Sequence, residues 1–222
     1  MSKLIKTVVF DIETGALPDE QIKQIAPAFK ESSVLTGNLG LEKSLEKIKA
    51  ARERHLLSII DKAALHAEYG EVLAIGIEAE GQTTILTGDE ANILKQFWDR
   101  ADADCRQGLI SWVGFNILSF DLPFLFRRSL INGVSIPHGL QPVTRYWPTF
   151  FRDLMDTWKA GDWKALISLD RFCKACGQPG KSGDGKHFKE LFEEDQDAAV
   201  AYLENDLKIT RNLADWLLPL LS

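Results

Sequence analysis

The chain opens on a run of residues that is typical of a strand buried on both faces of a sheet. Six of the seven residues from Leu4 to Phe10 are apolar or β-branched. Glu80-Gly81-Gln82 predicts a hairpin turn, because it separates two apolar runs of strand length. Four further strands or extended pieces are predicted at 72–78, 83–87, 109–114 and 152–156.

Apolar residues at helical spacing occur between and after these strands. The pattern predicts helices over about 89–103, 120–131, 168–176, 186–193 and 195–218. Strands alternating with helices predict a single α/β domain over 1–222 with a five-stranded mixed sheet, because the hairpin adds an antiparallel strand.

The segment 19–68, between the first two strands, has a different character. It contains a short helix near 19–25 and a long amphipathic helix over about 41–67, whose surface mixes Lys, Arg and Glu. Such a surface usually marks a solvated face. We interpret 19–68 as a helical insertion within the domain, and its residues indicate no function.

Composition narrows the class of protein. The 222 residues are 45% hydrophobic and 26% charged, as in ordinary soluble globular proteins, and the net charge is −6. An acidic chain has no global positive field to attract nucleic acid, so a polyanionic substrate would need a local basic patch or bound metal. Three cysteines predict no disulfide framework. We expect a cytoplasmic protein, since no signal peptide or membrane-spanning apolar run is predicted.

The first strand ends on two carboxylates separated by one apolar residue. Side chains alternate along a strand, so Asp11 and Glu13 should point to the same side. Two like charges held side by side repel each other, and a divalent cation such as Mg²⁺ or Mn²⁺ relieves that repulsion. The alternative interpretation is an acidic, solvated strand end.

Two other stretches carry candidate chemistry. Asp121 lies just past a strand at the start of a helix, preceded by Asn116 and Phe120. A helix N-cap is its alternative role. Tyr202 and Asp206 are four residues apart in the last predicted helix and therefore share one face. The alternative here is a core tyrosine beside a solvated aspartate.

Together these stretches resemble the DEDD superfamily of 3′-5′ exonucleases, also called DnaQ-like, which has the ribonuclease H fold. Its pattern is Asp-x-Glu on the first strand, an aspartate on a later helix and a final aspartate on a C-terminal helix. The matching residues here are Asp11, Glu13, Asp121 and Asp206. One branch, DEDDy, has a tyrosine four positions before the final aspartate, as Tyr202 is here, and the other has a histidine where this chain has Ala201.

The stretch 114–125 is especially similar to stand-alone predicted nucleases related to the proofreading domain of family B DNA polymerases. The resemblance covers most of the chain except 19–68. It implies two divalent ions, Mg²⁺ or Mn²⁺, held by the four carboxylates, with Tyr202 orienting the attacking water. A free tyrosine with a pKa near ~10 is a poor base at neutral pH, so positioning is the expected role.

The resemblance also implies substrate contacts. The expected nucleotide-binding residues are Thr14, Gly15, Leu17, Asn116 and Phe120. The candidate phosphate contacts are Arg127, Arg128, Lys181 and Lys186, although solvated surface charge is the alternative for each.

The function expected from the resemblance is hydrolysis of single-stranded 3′ ends with release of nucleoside 5′-monophosphates, with DNA favoured over RNA. Three alternatives stay open. They are a 3′-5′ exoribonuclease, a non-catalytic nucleic-acid-binding module, and a proofreading subunit active only with a protein partner bound through 19–68.

Overall fold

In the computed structural model, the described residues are 6–37, 39–108, 110–144, 146–180 and 188–221. The chain divides into two compact units, Met1–Thr14 with Val72–Ser222 and Gly15–Glu71. The assignment of 1–222 to a single domain with an insertion stays a prediction.

The described residues form five strands and eight α-helices. The strands are β1 (Lys6–Ala16), β2 (Gly70–Ala79), β3 (Gln82–Thr87), β4 (Ile110–Gly114) and β5 (Phe151–Asp153). The helices are α1 (Asp19–Ile25), α2 (Leu41–Ile60), α3 (Glu90–Gln107), α4 (Asp121–Ile131), α5 (Leu154–Lys159), α6 (Leu169–Ala175), α7 (Phe188–Glu194) and α8 (Gln196–Leu217).

The strands form one sheet in the order β3-β2-β1-β4-β5, which places β1 at its centre. β1 pairs with β4 in parallel, with Val8 opposite Trp112, and β4 pairs with β5 in parallel, with Gly114 opposite Asp153. β2 and β3 form the predicted antiparallel hairpin. The predicted α/β class with a five-stranded mixed sheet flanked by helices is therefore confirmed.

Several helices begin where a short polar side chain satisfies a free backbone N–H. Asp89, Ser168 and Asp195 accept from the backbone N–H groups of the third residue along, at 3.0, 3.3 and 3.0 Å. Such N-caps fix the helix starts because the first-turn donors have no partner inside the helix.

Three local expectations need correction. The first strand, expected to end on the carboxylates of Asp11 and Glu13, continues to Ala16, and the next amide, of Leu17, donates to the Tyr69 carbonyl at 2.8 Å. The piece at 152–156 is strand only to Asp153, whose side chain caps α5. The helix expected over 41–67 ends at Ile60 and is followed by a short 3₁₀ turn.

Aromatic packing anchors one side of the sheet. The ring of Phe10 on β1 lies 5.4 Å from Phe97 of α3 and 5.5 Å from Trp112 of β4, measured between centroids. All three side chains are fully buried. Contact of this kind holds the central strand, and the acidic residues that follow Phe10, in a fixed position.

Helix α8 packs close to β2 at Gly76. A Cβ atom on Gly76 would meet Leu207 Cδ1 at 2.6 Å and Leu203 Cγ at 3.0 Å. The absence of a side chain therefore allows α8, which carries Asp206, to approach the sheet.

Replacing Gly76 with alanine should lower the free energy of unfolding by about 1–3 kcal/mol, because the new methyl group overpacks this contact. Urea unfolding measures the change. Gly139→Ala is the matched control, since a Cβ there meets nothing within 4 Å. A Gly76→Ala protein as stable as this control would contradict the close approach of α8.

In the unit Gly15–Glu71, Ile22 and Ala63 are fully buried. Among the described side chains of α2, none is buried, as expected for a solvated amphipathic helix. Leu41 and Leu45 are 79% and 58% exposed on this helix. No helix in the described part of the chain is long and apolar enough to cross a membrane.

Candidate active site

Three carboxylates from the two ends of the chain meet beside β1. Asp11 and Glu13 lie on β1 and are half-buried, while Asp206 of α8 is 1% exposed. One oxygen from each lies within 4.8 Å of the others. Such close approach of like charges is unfavourable in the absence of a cation.

The carboxylates line a cavity of about 310 Å³ in the larger unit. Its lining also includes the other predicted site residues of this unit, Asn116, Phe120, Asp121 and Tyr202. Residues from the first strand, the start of α4 and the last long helix therefore face one space, although more than 180 positions separate the first from the last along the chain.

Asp121 occupies the first position of α4 and is 3% exposed. Its Oδ1 accepts the backbone N–H of Ile12 at 3.3 Å, which ties the start of α4 to the acidic strand. Phe120, not Asp121, is the N-cap residue of α4. Burial raises the pKa of the Asp121 carboxyl well above its ordinary value, and the negative charge of Asp11 raises it further.

The turn before α4 is held by Asp153, at the end of β5. Its carboxylate accepts the backbone N–H groups of Asn116 at 2.7 Å, Leu118 at 2.9 Å and Met155 at 2.8 Å. Asn116 has a φ of +64°, a left-handed conformation that costs energy outside glycine. Asp153 therefore fixes the turn at Asn116, which lines the cavity and precedes Asp121 in the chain.

Burial raises the pKa of the Asp153 carboxyl above its ordinary value, while the three N–H donors act in the opposite direction. Replacing Asp153 with alanine should lower the free energy of unfolding by about 2 kcal/mol, because three backbone donors lose their acceptor. Guanidinium unfolding measures this loss.

Asp156→Ala is the matched control for this prediction. Asp156 is exposed, and among the described residues its carboxylate pairs with Lys159 in the adjoining turn, so its loss should change stability by less than about 0.5 kcal/mol. Equal stabilities of the two variants would refute the anchoring role of Asp153.

Five residues that line the cavity were not predicted from the sequence: Ile12, Phe115, Met155, Leu169 and Thr210. Thr210 had a usable signal, because Tyr202, Asp206 and Thr210 recur every four residues on one face of α8. Met155 and Leu169 had none, since only the tertiary fold brings the starts of α5 and α6 to the cavity.

The remaining predicted contacts are placed elsewhere or stay untested. Thr14 lies on β1 and is not among the residues that line the cavity. Gly15 and Leu17 belong to the unit Gly15–Glu71, so their contact with a nucleotide stays a prediction. Lys181 and Lys186 lie outside the described residues.

Arg128 is not a phosphate contact, and that expectation was wrong. Its side chain is 5% exposed, and its guanidinium donates to both carboxylate oxygens of Glu90, at 2.8 and 2.6 Å. The ion pair joins α4 to α3 and leaves the group inaccessible to a substrate. Arg127, by contrast, is exposed.

The donor set fits a divalent metal. Carboxylate oxygens are the ligands preferred by Mg²⁺ and Mn²⁺, and Asp11, Glu13 and Asp206 supply them within the span of one coordination sphere. Asp121 adds a fourth carboxylate to the same cavity. Burial and the neighbouring charge of Asp11 both oppose ionisation of this carboxyl, and a bound cation would favour it.

A mixed α/β sheet with acidic residues on its central strand and last helix is typical of DEDD-type 3′-5′ exonuclease domains. The chain belongs to the family of predicted 3′-5′ exonucleases related to the exonuclease domain of PolB, whose sequence model matches residues 54–210. The match includes Asp121, Tyr202 and Asp206 and begins after Asp11 and Glu13.

Solved structures show the same fold. The family B DNA polymerase from the hyperthermophilic archaeon Pyrobaculum calidifontis matches with a TM-score of 0.58 and 17% sequence identity. The match covers 97% of this chain and 25% of that polymerase, so the chain corresponds to about a quarter of its length. The fold is thus ribonuclease H-like, as the sequence predicted. No curated protein matches the chain in sequence.

Proposed function

We propose that this protein is a metal-dependent 3′-5′ exonuclease of the DEDDy branch that shortens single-stranded DNA. The observation that carries the proposal is the meeting of Asp11, Glu13 and Asp206 within 4.8 Å. Asp121 and Tyr202 line the same cavity, so all five residues of the DEDDy pattern share one site.

The four carboxylates would be shared between two metal ions. Asp11, Glu13 and Asp206 would hold one divalent ion, and Asp11 with Asp121 would hold a second. Bound Mg²⁺ or Mn²⁺ would neutralise charge at the phosphodiester and lower the pKa of the attacking water. Asp121 is kept in place for this by the N–H of Ile12, and Asp153 holds the turn before it.

The protein's own groups would position the substrate. Tyr202 would orient the attacking water through its phenol oxygen, since a free phenol with a pKa near ~10 is protonated at neutral pH and cannot act as a base. Asn116 and Phe120 line the cavity and would contact the terminal nucleotide, the amide by hydrogen bonds and the ring by stacking.

A time course on 5′-labelled single-stranded DNA and RNA of equal sequence tests the proposal. With Mg²⁺ or Mn²⁺ we expect a ladder that shortens from the 3′ end, faster on DNA, and no shortening with EDTA. Faster shortening of the RNA strand would make RNA the preferred substrate in place of DNA. No shortening under any metal would overturn autonomous exonuclease activity.

We also propose that a protein partner binds to the segment 19–68. The exposed side chains of Leu41 and Leu45, one turn apart on α2, support it because they are apolar surface that a partner would bury. The exonuclease activity of the wild-type and the Leu41→Ser, Leu45→Ser proteins is measured with and without a polymerase. The docking role is supported if the double variant has wild-type activity alone but is no longer stimulated by the polymerase. Unchanged enhancement would contradict it.

A further inference from the structure

The segment between α5 and α6 joins two parts of the cavity wall. Met155, near the start of α5, and Leu169, at the start of α6, both line the carboxylate cavity. The residues between these helices, 160–168, are mostly exposed and connect two positions on the cavity wall.

This segment presents a tryptophan to solvent. Trp163 is 75% exposed, whereas its neighbour Trp158 packs at 4.9 Å against the buried ring of Phe172. An indole exposed to this extent offers a ring face on which a nucleobase can stack. A second exposed apolar residue, Leu166, follows at 68% exposure.

The backbone of the segment is ordered by its own hydrogen bonds. Asp162 anchors the turn twice: its carbonyl accepts the Ala165 N–H and its carboxylate accepts the Lys164 N–H, each at 3.0 Å. A fixed backbone presents the indole in a defined place, which lowers the entropy cost of binding.

A cation accompanies the exposed ring. The Lys164 ammonium lies 5.2 Å from the centroid of the Trp163 ring. Within the described residues, Lys164 forms no ion pair, whereas Lys159 pairs with Asp156 and Lys174 pairs with Asp170. The exposed ring of Trp163 and the ammonium of Lys164 are groups of the kinds that bind a nucleobase and its phosphate.

We propose that Trp163 and Lys164 form a docking platform for the single strand upstream of the scissile nucleotide. The Trp163 ring stacks on a base, and Lys164 contacts the adjoining phosphate. The inference rests on the proposed function, because it takes the substrate to be single-stranded nucleic acid that enters the carboxylate cavity.

Chain length bounds how far the platform lies from the cavity. Leu169 follows Trp163 by six positions, so their Cα atoms are at most about 21 Å apart. At ~3.4 Å per stacked nucleotide, this corresponds to about six nucleotides or fewer. Strands longer than this can reach Trp163 at any distance within that bound, and a dinucleotide, which has only one base on the upstream side of the scissile bond, should depend on it least.

Binding in EDTA, where hydrolysis is blocked, gives the first test. A 5′-fluorescein-labelled oligothymidylate longer than about six nucleotides is titrated with protein, and anisotropy is followed. Trp163→Ala should weaken binding by about 5- to 100-fold, and Trp163→Phe should retain most of the affinity. Trp216→Ala is the matched control, since Trp216 is 41% exposed and does not line the cavity.

Kinetics in Mn²⁺ give the second test. Trp163→Ala should raise KM for the long strand with little change in kcat and leave dinucleotide hydrolysis unchanged. Equal losses on both substrates, or no loss on either, would overturn the platform. Trp163-dependent binding without hydrolysis in Mn²⁺ would instead sustain the platform and reject the exonuclease. A protein that binds no strand in EDTA and hydrolyses none in Mn²⁺ would reject both.

Discussion

Replacing Asp206 with asparagine should reduce the rate of DNA shortening by about 10³-fold or more. Asp206 is one of the three carboxylates within 4.8 Å of each other, and asparagine removes its charge while keeping its shape. A lost metal contribution of several kcal/mol to the transition state corresponds to a rate change of this size. Initial rates on 5′-labelled single-stranded DNA in saturating Mn²⁺ measure it.

The same substitution should not destabilise the metal-free protein. Asp206 is 1% exposed and faces the carboxylates of Asp11 and Glu13, so removing its charge relieves repulsion. Thermal unfolding in EDTA should show an unchanged or higher melting temperature. Asp215→Asn, on an exposed carboxylate of the same helix, is the matched control and should leave the rate unchanged. An Asp206→Asn protein with undiminished rate would exclude this carboxylate from the chemistry.

Divalent metal should stabilise the protein, and Asp11→Asn should remove most of that effect. A ligand that binds only the folded state at 100 times its Kd contributes about 2.7 kcal/mol. For a chain of this size this corresponds to a rise in melting temperature of about 5–10 °C. Differential scanning fluorimetry in EDTA and with rising Mn²⁺ measures the shift.

Asp99→Asn controls for non-specific effects of the cation on this acidic chain. Asp99 is an exposed carboxylate paired with Lys95 on the surface of α3, so its variant should show the full stabilisation by Mn²⁺. The same shift in the Asp11→Asn protein would place the metal elsewhere.

Local sequence patterns predicted the elements that carry the site. The alternation of Asp11, Ile12 and Glu13 along a strand and the four-residue spacing of Tyr202 and Asp206 along a helix depend only on backbone geometry. Both arrangements exist in the fold, and together they bring three of the four predicted carboxylates into contact distance of one cation. The fold class followed from the same periodicities.

Features that depend on tertiary contacts were not predictable from local pattern. Arg128 has the sequence surroundings of a surface residue, yet a carboxylate 38 positions away, Glu90, pairs with it in a buried site. The extent of β1 likewise depends on pairing with residues near Tyr69. The anchoring of the Asn116 turn by Asp153 joins residues 37 positions apart.

The most direct test of 3′-5′ exonuclease activity compares three forms of one single-stranded DNA. They are a linear strand with a free 3′-hydroxyl, the same strand blocked at its 3′ end, and a covalently closed circle, each incubated with Mn²⁺. For a 3′-5′ exonuclease, we expect that only the free linear strand is degraded, with release of nucleoside 5′-monophosphates, and that the Asp206→Asn protein shows no reaction. Cutting of the circle, or a free linear strand left intact, would contradict it.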